Sequence, residues 1–518
     1  MRLLRALCAG ALVIYMLALW RLAYLEVGGP PHIDFQLKGG IPATFYTPPG
    51  ENPIDGIDPL PPSERPPAVL LIHGFSFDRA MMSTLARRIA NAGYGVLAID
   101  VRGHGDNRNP FASNRAIGAG LDGDVRAAID FLRVTPGVDG SRIVVIGHSM
   151  GAGAALDYAT SDPDLKGAVM ISGGLQLAGS VRPHNALFIF AARDPDQIKL
   201  SSDRIAAKLA GVDALEPGKV YGNFAAGDAV RAIEIANTDH LSIIFSPAAA
   251  QTIIEWLDGV FATRRSAPLT LDEPRIRIGA VAIATFLFLL IGLGRITGSL
   301  APQWRRDTDG GWLGLGGLAL ATVMPLVATH PPAFFVSLAV GDVVISWLGL
   351  AGGVMLVFAL RNRLGWERAG EHLGMTLLAA LAAFAAIYAM LVPLGAVFHR
   401  VTPTPERLFA TLLCSVVLLP FFLAFEMIVR SGSLAASTMR GVVGRAMILI
   451  LLAIGVEIHL LPFVMILVLP SLALVFIFFE IFAAAAYSGS GNLLAIALVE
   501  SAWLGWFTAA IMPITFMF

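Results

Sequence analysis

From Ile278 to Met517 the chain is a succession of eight apolar runs, and no other feature restricts its fold as strongly. They are Ile278–Gly294, Trp312–Thr329, Ala333–Leu360, Leu373–Phe398, Leu408–Val429, Ala446–Leu461, Phe463–Tyr487 and Leu493–Met517. Each approaches or exceeds the length a helix needs to cross roughly 30 Å of hydrocarbon. Hydrocarbon offers a bare backbone no hydrogen-bond partner, so such runs fold as helices. The composition agrees: 56% of the 518 residues are hydrophobic and 14% are charged, where a soluble protein has about a quarter charged. A ninth run, Leu3–Leu25, follows Arg2 and Arg5. The stretch Tyr24-Leu25-Glu26-Val27 lacks the small residues of a cleavage site, so the run is expected to stay as an anchor, with Arg21 snorkelling to the interface.

The expected organisation is an anchor at 1–27, a strand-and-helix domain at 28–267, and a transmembrane domain of about eight helices at 268–518. Arginines give an orientation. Alternate loops hold Arg295, Arg305 and Arg306, then Arg361, Arg363 and Arg368, then Arg430, Arg440 and Arg445; the opposite loops hold only Arg400 and Arg407. With Arg2 and Arg5 this places the N-terminus in the cytoplasm and residues 28–267 outside a cell membrane that the chain crosses many times. Arg264, Arg265, Arg275 and Arg277 run against that bias. Asp342, Glu426, Glu457, His459, Glu480 and Glu500 fall within the runs, either as a polar site or proton path, or as interhelical hydrogen bonds and helix ends. A net charge of −1 gives no reason to expect nucleic acid. The two cysteines, Cys8 and Cys414, supply no disulfide framework.

Between anchor and membrane runs, the informative stretch is Arg142 to Gly153. A β-branched run stops at Gly147-His148-Ser149-Met150-Gly151, and a helix of small residues follows. Strand, sharp turn and helix in that order lift the serine hydroxyl onto an exposed tip, with glycines where side chains would collide. Around it, Gly28–Pro31 is a linker, Ile33–Tyr46 a hairpin about Gly39-Gly40, and Glu51–Pro67 a proline-rich loop or flap. Ala68–Ile72, Gly95–Asp100, Lys166–Ser172, Ala186–Ala191 and Ala232–Ala236 are short apolar strands. Helices are expected at Arg79–Asn91, capped by Asp78, and at Leu121–Val134, Ser202–Ala210 and Ala248–Ala262. Alternating strands and helices make a parallel sheet covered on both faces.

Residues from about 33 to 262 resemble the α/β-hydrolase superfamily. The resemblance rests on His73-Gly74-Phe75, on Asp100-Val101-Arg102-Gly103-His104-Gly105, on the serine turn, and on a later Asp and His in the family's order. It is greatest toward dienelactone-hydrolase-like and prolyl-peptidase-like esterases, although the former carry cysteine where this chain has Ser149, and the propeller usual in the latter is absent. The membrane half lies outside it. A serine hydroxyl is a weak nucleophile until a base takes its proton, and histidine titrates in the right range. Among His73, His104, His148, His184 and His240, the resemblance implies His240 as base. It implies Asp194 as the acid that orients the base, with Asp196 as runner-up and Asp239 a poorly placed neighbour of the histidine. It also implies an oxyanion hole from the backbone N–H groups of Phe75 and Met150, with His73, Gly74 and His148 beside the substrate. Only Gly173–Asn185 separates two strands where many lipases insert a lid, so the site is open or is covered by the proline-rich loop or the membrane half.

The expectation is a membrane-embedded serine hydrolase acting on a small-molecule or lipid acyl ester among membrane lipids. No metal or cofactor is expected, and the oligomeric state stays open. The rivals are a serine peptidase or amidase with the same residues, and a transporter or binding protein with a non-catalytic hydrolase-like domain.

Overall fold

The β-branched runs of the first half become strands because they lack a helical period and are short. In the computed structural model, which describes residues 2–50, 61, 64–112, 120–173, 182–265, 268–303, 311–329, 336–361 and 372–515, they form one eight-stranded sheet. Its strands are β1 (His32–Leu37), β2 (Ile41–Tyr46), β3 (Pro67–Ile72), β4 (Gly95–Ile99), β5 (Asp139–His148), β6 (Gly167–Ile171), β7 (Ala186–Ala191) and β8 (Val230–Ile235). The order is β1-β2-β4-β3-β5-β6-β7-β8. The β1–β2 hairpin is antiparallel and pairs antiparallel to β4; every later pairing is parallel. Gly39 and Gly40, at φ 86° and 72°, form the hairpin turn, in a region glycine enters without a Cβ clash.

The period of two along β3 divides its side chains between two cores. Ala68, Leu70 and Ile72 join Val125 and Leu132 of α3 (Asp122–Val134), Ala155 of α4 (Met150–Ala159) and Ile205 of α5 (Asp196–Ala210). Val69 and Leu71 join Leu85 and Ile89 of α2 (Ser83–Asn91), and Ile253 and Trp256 of α6 (Pro247–Phe261). Two starts differ from expectation. Helix α2 begins at Ser83 rather than Arg79: Asp78 Oδ1 accepts from Met81 N at 3.0 Å, three residues on, but residues 79–82 form a turn and not a helix, and Asp78 Oδ2 is bound by His399. Helix α5 begins at Asp196, after Pro195, and the acidic first turn suits the helix dipole.

The remaining helices are α1 (Arg2–Val27), α7 (Pro274–Leu300), α8 (Gly311–Thr329), α9 (Gly341–Arg361), α10 (Leu373–Phe398), α11 (Pro405–Val429), α12 (Leu434–Glu457), α13 (Met465–Tyr487) and α14 (Leu493–Ile511). Seven of them, rather than nine, are long and apolar enough over their described residues to cross a membrane; α8 and α9 contribute shorter apolar stretches, 314–323 and 341–357. Glu426, Glu480 and Glu500 are ion-paired. They close a buried network with Arg430 and Arg445: Arg430 reaches Glu426 at 2.7 Å and Glu480 at 2.7 Å, and Arg445 binds Glu426, Glu480 and Glu500. Asp342 accepts from Val336 N at 2.6 Å, whereas Glu457 and His459 are exposed at the end of α12.

The sheet domain rests on one end of this bundle. Arg87 of α2 donates to Leu25 O at the end of α1 (2.8 Å), and Arg275 at the start of α7 binds Glu26 at 2.7 Å. Arg407, buried in α11, donates to Gly103 O at 2.7 Å, Gly105 O at 3.0 Å and Met512 O at 2.9 Å. Ile514, past α14, exchanges backbone bonds with Gly103 and Phe111 at 2.9 and 2.7 Å. A buried guanidinium that joins carbonyls of both parts fixes their register, since each donor lost there leaves a desolvated charge unpaired.

Candidate active site

Ser149 follows β5 directly and holds φ 53°, ψ −113°, a conformation that few non-glycine residues adopt. The flanking glycines make it possible. A Cβ on Gly147 would lie 1.9 Å from Gly151 O, and one on Gly151 2.4 Å from Ile72 O. Strand, turn and neighbouring strand are too close for any side chain there. Ser149 N donates to Ile171 O at 2.8 Å, which ties the tip to β6.

His240 lies in the loop after β8. Asp239 shapes that loop by accepting from Leu241 N at 3.0 Å and Ser242 N at 2.9 Å, so it orders the backbone rather than the imidazole. His240 Nε2 is 2.9 Å from Ser149 Oγ, and its Nδ1 is 2.6 Å from Asp194 Oδ1. The other carboxylate oxygen of Asp194 accepts from Ser172 Oγ at 2.6 Å and Ala191 N at 2.7 Å. Burial pushes the Asp194 pKa up, but the hydrogen bonds from His240 and Ser172 outweigh it, and the net direction is down. Asp196 is exposed in the first turn of α5 and bonds Lys199 at 3.6 Å, away from the imidazole. The structure thus brings Ser149, His240 and Asp194 into one hydrogen-bonded line.

The other expected residues separate. His73 is buried; its Nε2 accepts from Val101 N at 3.1 Å and its Nδ1 donates to Gly74 O at 2.8 Å. Neither His73 nor Gly74, expected beside the substrate, is among the residues lining the cavity at Ser149. Gly74 is instead required by space, because a Cβ there would lie 2.8 Å from His148 Nδ1. His148 does line the cavity, and its Nε2 donates to His240 O at 2.9 Å, holding the loop of the base. Burial, then the neighbouring His240, pulls its pKa down to about 3, so the ring is neutral. Phe75 and Met150 line the turn region; among the described residues no hydrogen-bond partner takes the backbone N–H of either. The ring of Phe75 packs edge-on against His104 and Phe111 at 5.7 and 6.1 Å.

Ser149 opens into a cavity of about 130 Å³. The sheet domain forms its floor with Phe75, Phe77, His148 and His240, and the bundle forms its roof with Val464, Leu467 and Val468 at the start of α13 and Phe507 and Ile511 of α14. The helix bundle covers the site. The proline-rich flap and most of the Gly173–Asn185 segment lie outside the described residues. His399, at the end of α10, also lines the cavity. Its Nδ1 is 2.8 Å from Asp78 Oδ2 and its Nε2 is 3.0 Å from Ser76 O. Both partners are acceptors, so the ring satisfies both only as an imidazolium. Burial lowers its pKa, but the Asp78 carboxylate wins and the net direction is up. Sequence reasoning missed His399; its signal was a histidine–arginine pair closing an apolar run. The roof residues had none, being apolar residues in apolar helices.

Residues 63–200 match the model of a family described as serine aminopeptidase, S33. The sheet domain has the α/β-hydrolase fold. An uncharacterised protein of Mycobacterium tuberculosis is 33% identical over 144 residues, 28% of this chain and 50% of that one. Cutinase 2 of Thermobifida cellulosilytica is 35% identical over 105 residues, 20% of this chain and 38% of the cutinase. The chain thus spans half or less of the length of these curated relatives. Among solved structures, an esterase of Pyrobaculum calidifontis is similar at 18% identity and TM-score 0.33, covering 50% of this chain and 92% of the esterase.

Proposed function

We propose that the protein is a membrane-embedded serine hydrolase that cleaves acyl esters through an acyl-enzyme. One observation carries the reading: the Ser149–His240–Asp194 line ends in a cavity whose roof is apolar membrane helix. In the first step Ser149 Oγ attacks the ester carbonyl carbon while His240 Nε2 takes its proton. Asp194 holds the proton of Nδ1, so Nε2 is the free base. The Phe75 and Met150 N–H groups, without partners among the described residues, are assigned to the developing oxyanion, each such donor being worth about 3 kcal/mol in comparable sites. The tetrahedral intermediate collapses, His240 returns the proton to the leaving alkoxide, and the alcohol departs. Water then attacks the acyl-serine by the same route in reverse, which releases the acid and restores Ser149.

The family description favours a second reading, an aminopeptidase. Such an enzyme needs an anionic group for the substrate's terminal ammonium, and the described residues lining the cavity include no carboxylate. That supports ester over peptide. For the orientation, the arginine bias supports a hydrolase domain outside the cell membrane. The test is labelling of the purified full-length protein by a short-chain fluorophosphonate, together with turnover of butyrate esters and of aminoacyl anilides. Labelling that disappears in Ser149→Ala, with ester turnover exceeding anilide turnover, is expected. Equal labelling of the variant refutes the nucleophile, and anilide preference refutes the ester reading.

A further inference from the structure

The cavity at Ser149 is small for the membrane protein that contains it. At about 130 Å³ it lies below the 300–1,000 Å³ typical of ligand pockets. A second, partly open cavity, of about 450 Å³, adjoins it among the bundle helices, with Phe245 of the sheet domain at its edge. The two share three lining residues, His399, Ser471 and Phe507. Its deeper wall comes from α7, α10, α13 and α14, with Ile283, Leu394, Val475, Phe478 and Trp503 as examples. Of its lining side chains only His399 and Ser471 are polar, apart from the tryptophan N–H groups, and Trp506 already donates to Val401 O at 2.8 Å. His399 turns both ring nitrogens to the hydrolase domain, so carbon atoms are what it has left to offer the passage. Phe478 lies about 20 Å along α13 from its first residue at 1.5 Å per residue. Two adjoining, largely apolar cavities therefore lie in sequence from the nucleophile into the bundle.

The geometry points to this second cavity as the site of a long acyl chain of a membrane lipid ester, with the ester carbonyl held at Ser149. The inference rests on the hydrolase reading above and names its substrate class. The remaining wall of the Ser149 cavity leaves room for the ester and the first part of the alcohol, not for a chain. A chain already in the bilayer gains little transfer free energy from an apolar cavity, because it leaves one hydrocarbon environment for another. The cavity's effect on such a substrate is positional: it brings the carbonyl to one depth, at the Ser149 end. For a monomeric ester taken from water, each methylene seated there adds up to about a fourfold gain in kcat/KM.

The full-length protein in lipid nanodiscs is treated with a hexadecyl fluorophosphonate bearing a diazirine near the chain end. Ser149 Oγ bonds to phosphorus, fluoride leaves, and the serine proton passes to His240. Illumination then marks whatever surrounds the chain end. Crosslinks on Leu391, Leu394, Phe478 or Trp503 are expected. Ser149 labelling with crosslinks only to lipid, or to hydrolase-domain residues other than Phe245, overturns the inference and leaves the hydrolase reading standing. No labelling of Ser149 overturns both. In a second arm, Leu394→Trp fills the cavity and Leu378→Trp adds the same bulk on the exposed face of α10. The palmitate-to-butyrate ratio of kcat/KM should fall at least tenfold in the first and stay within twofold in the second. A Leu394→Trp protein that keeps butyrate turnover with an unchanged ratio refutes the assignment.

Discussion

Replacing Asp194 by Asn tests the proposed chemistry through a single proton. In the native site the carboxylate accepts on both sides: Oδ1 from His240 Nδ1 at 2.6 Å, and Oδ2 from Ser172 Oγ at 2.6 Å and Ala191 N at 2.7 Å. An asparagine has one acceptor oxygen. Ala191 N–H is backbone and can only donate, so the amide oxygen must take the Oδ2 place. The NH₂ group then faces His240 Nδ1, which can answer only as an acceptor. The imidazole proton moves to Nε2, and the nitrogen beside Ser149 ceases to be a base. The equivalent exchange in a serine protease triad lowers kcat about 10⁴-fold. At 1.36 kcal/mol per decade this is about 5.4 kcal/mol of barrier. The fold should persist, because the substitution is isosteric and keeps the Ala191 bond. The assay is kcat on a butyrate ester from pH 6 to 10, with a thermal melt for each protein. Asp194→Asn should lose about four decades with an unchanged melt, and Asp196→Asn should lose less than twofold. A loss below tenfold for Asp194→Asn, or a comparable loss for Asp196→Asn, refutes the argument.

Three further outcomes are expected. The His399–Asp78 pair combines a pKa held below the usual aspartate value near 3.8 with one held above the usual histidine value of 6.5. Asp78 therefore contributes stability above about pH 4, lost as pH falls through its folded value, and His399 contributes below about pH 6.5, lost as pH rises through its folded value. His399→Gln should cost on the order of 3 kcal/mol near pH 5–6 and progressively less at alkaline pH, and a pH-independent difference in melting temperature would contradict this. In the buried network, Arg445→Met should destabilise by on the order of 3–5 kcal/mol, and Glu500→Gln by far less, because Arg445 keeps its bond to the remaining oxygen; a denaturant melt in detergent that ranks them the other way refutes the network's description. For orientation, Asp213→Cys on the hydrolase domain should react with an impermeant maleimide in intact cells and Ala435→Cys, exposed near the start of α12, only after lysis; the reverse pattern refutes the proposed side.

The sequence was informative wherever the physics is local. Gly147-His148-Ser149-Met150-Gly151 specifies its turn because only glycine fits within 2.4 Å of a neighbouring carbonyl, and that demand is written at two positions of one pentapeptide. The runs of β3, β5 and β7 and the apolar helices are equally local, being set by period, length and hydrophobicity. Asp194 and His240 were reachable only through the family resemblance, since 46 residues separate them and no spacing rule joins them. The rest was decided by tertiary structure. Asp78 carries a capping pattern in sequence and does accept from Met81 N, yet its other carboxylate oxygen is taken by a histidine 321 residues away. Glu426, Glu480 and Glu500 read equally well as a proton path until folding set Arg430 and Arg445 between them, because a buried charge is defined by its partners and those lie on other helices. Which residues roof Ser149 had no trace in the sequence: Val464, Leu467 and Phe507 are apolar residues in apolar helices, and which face of a helix meets lipid and which meets a serine is settled only by how the helices pack.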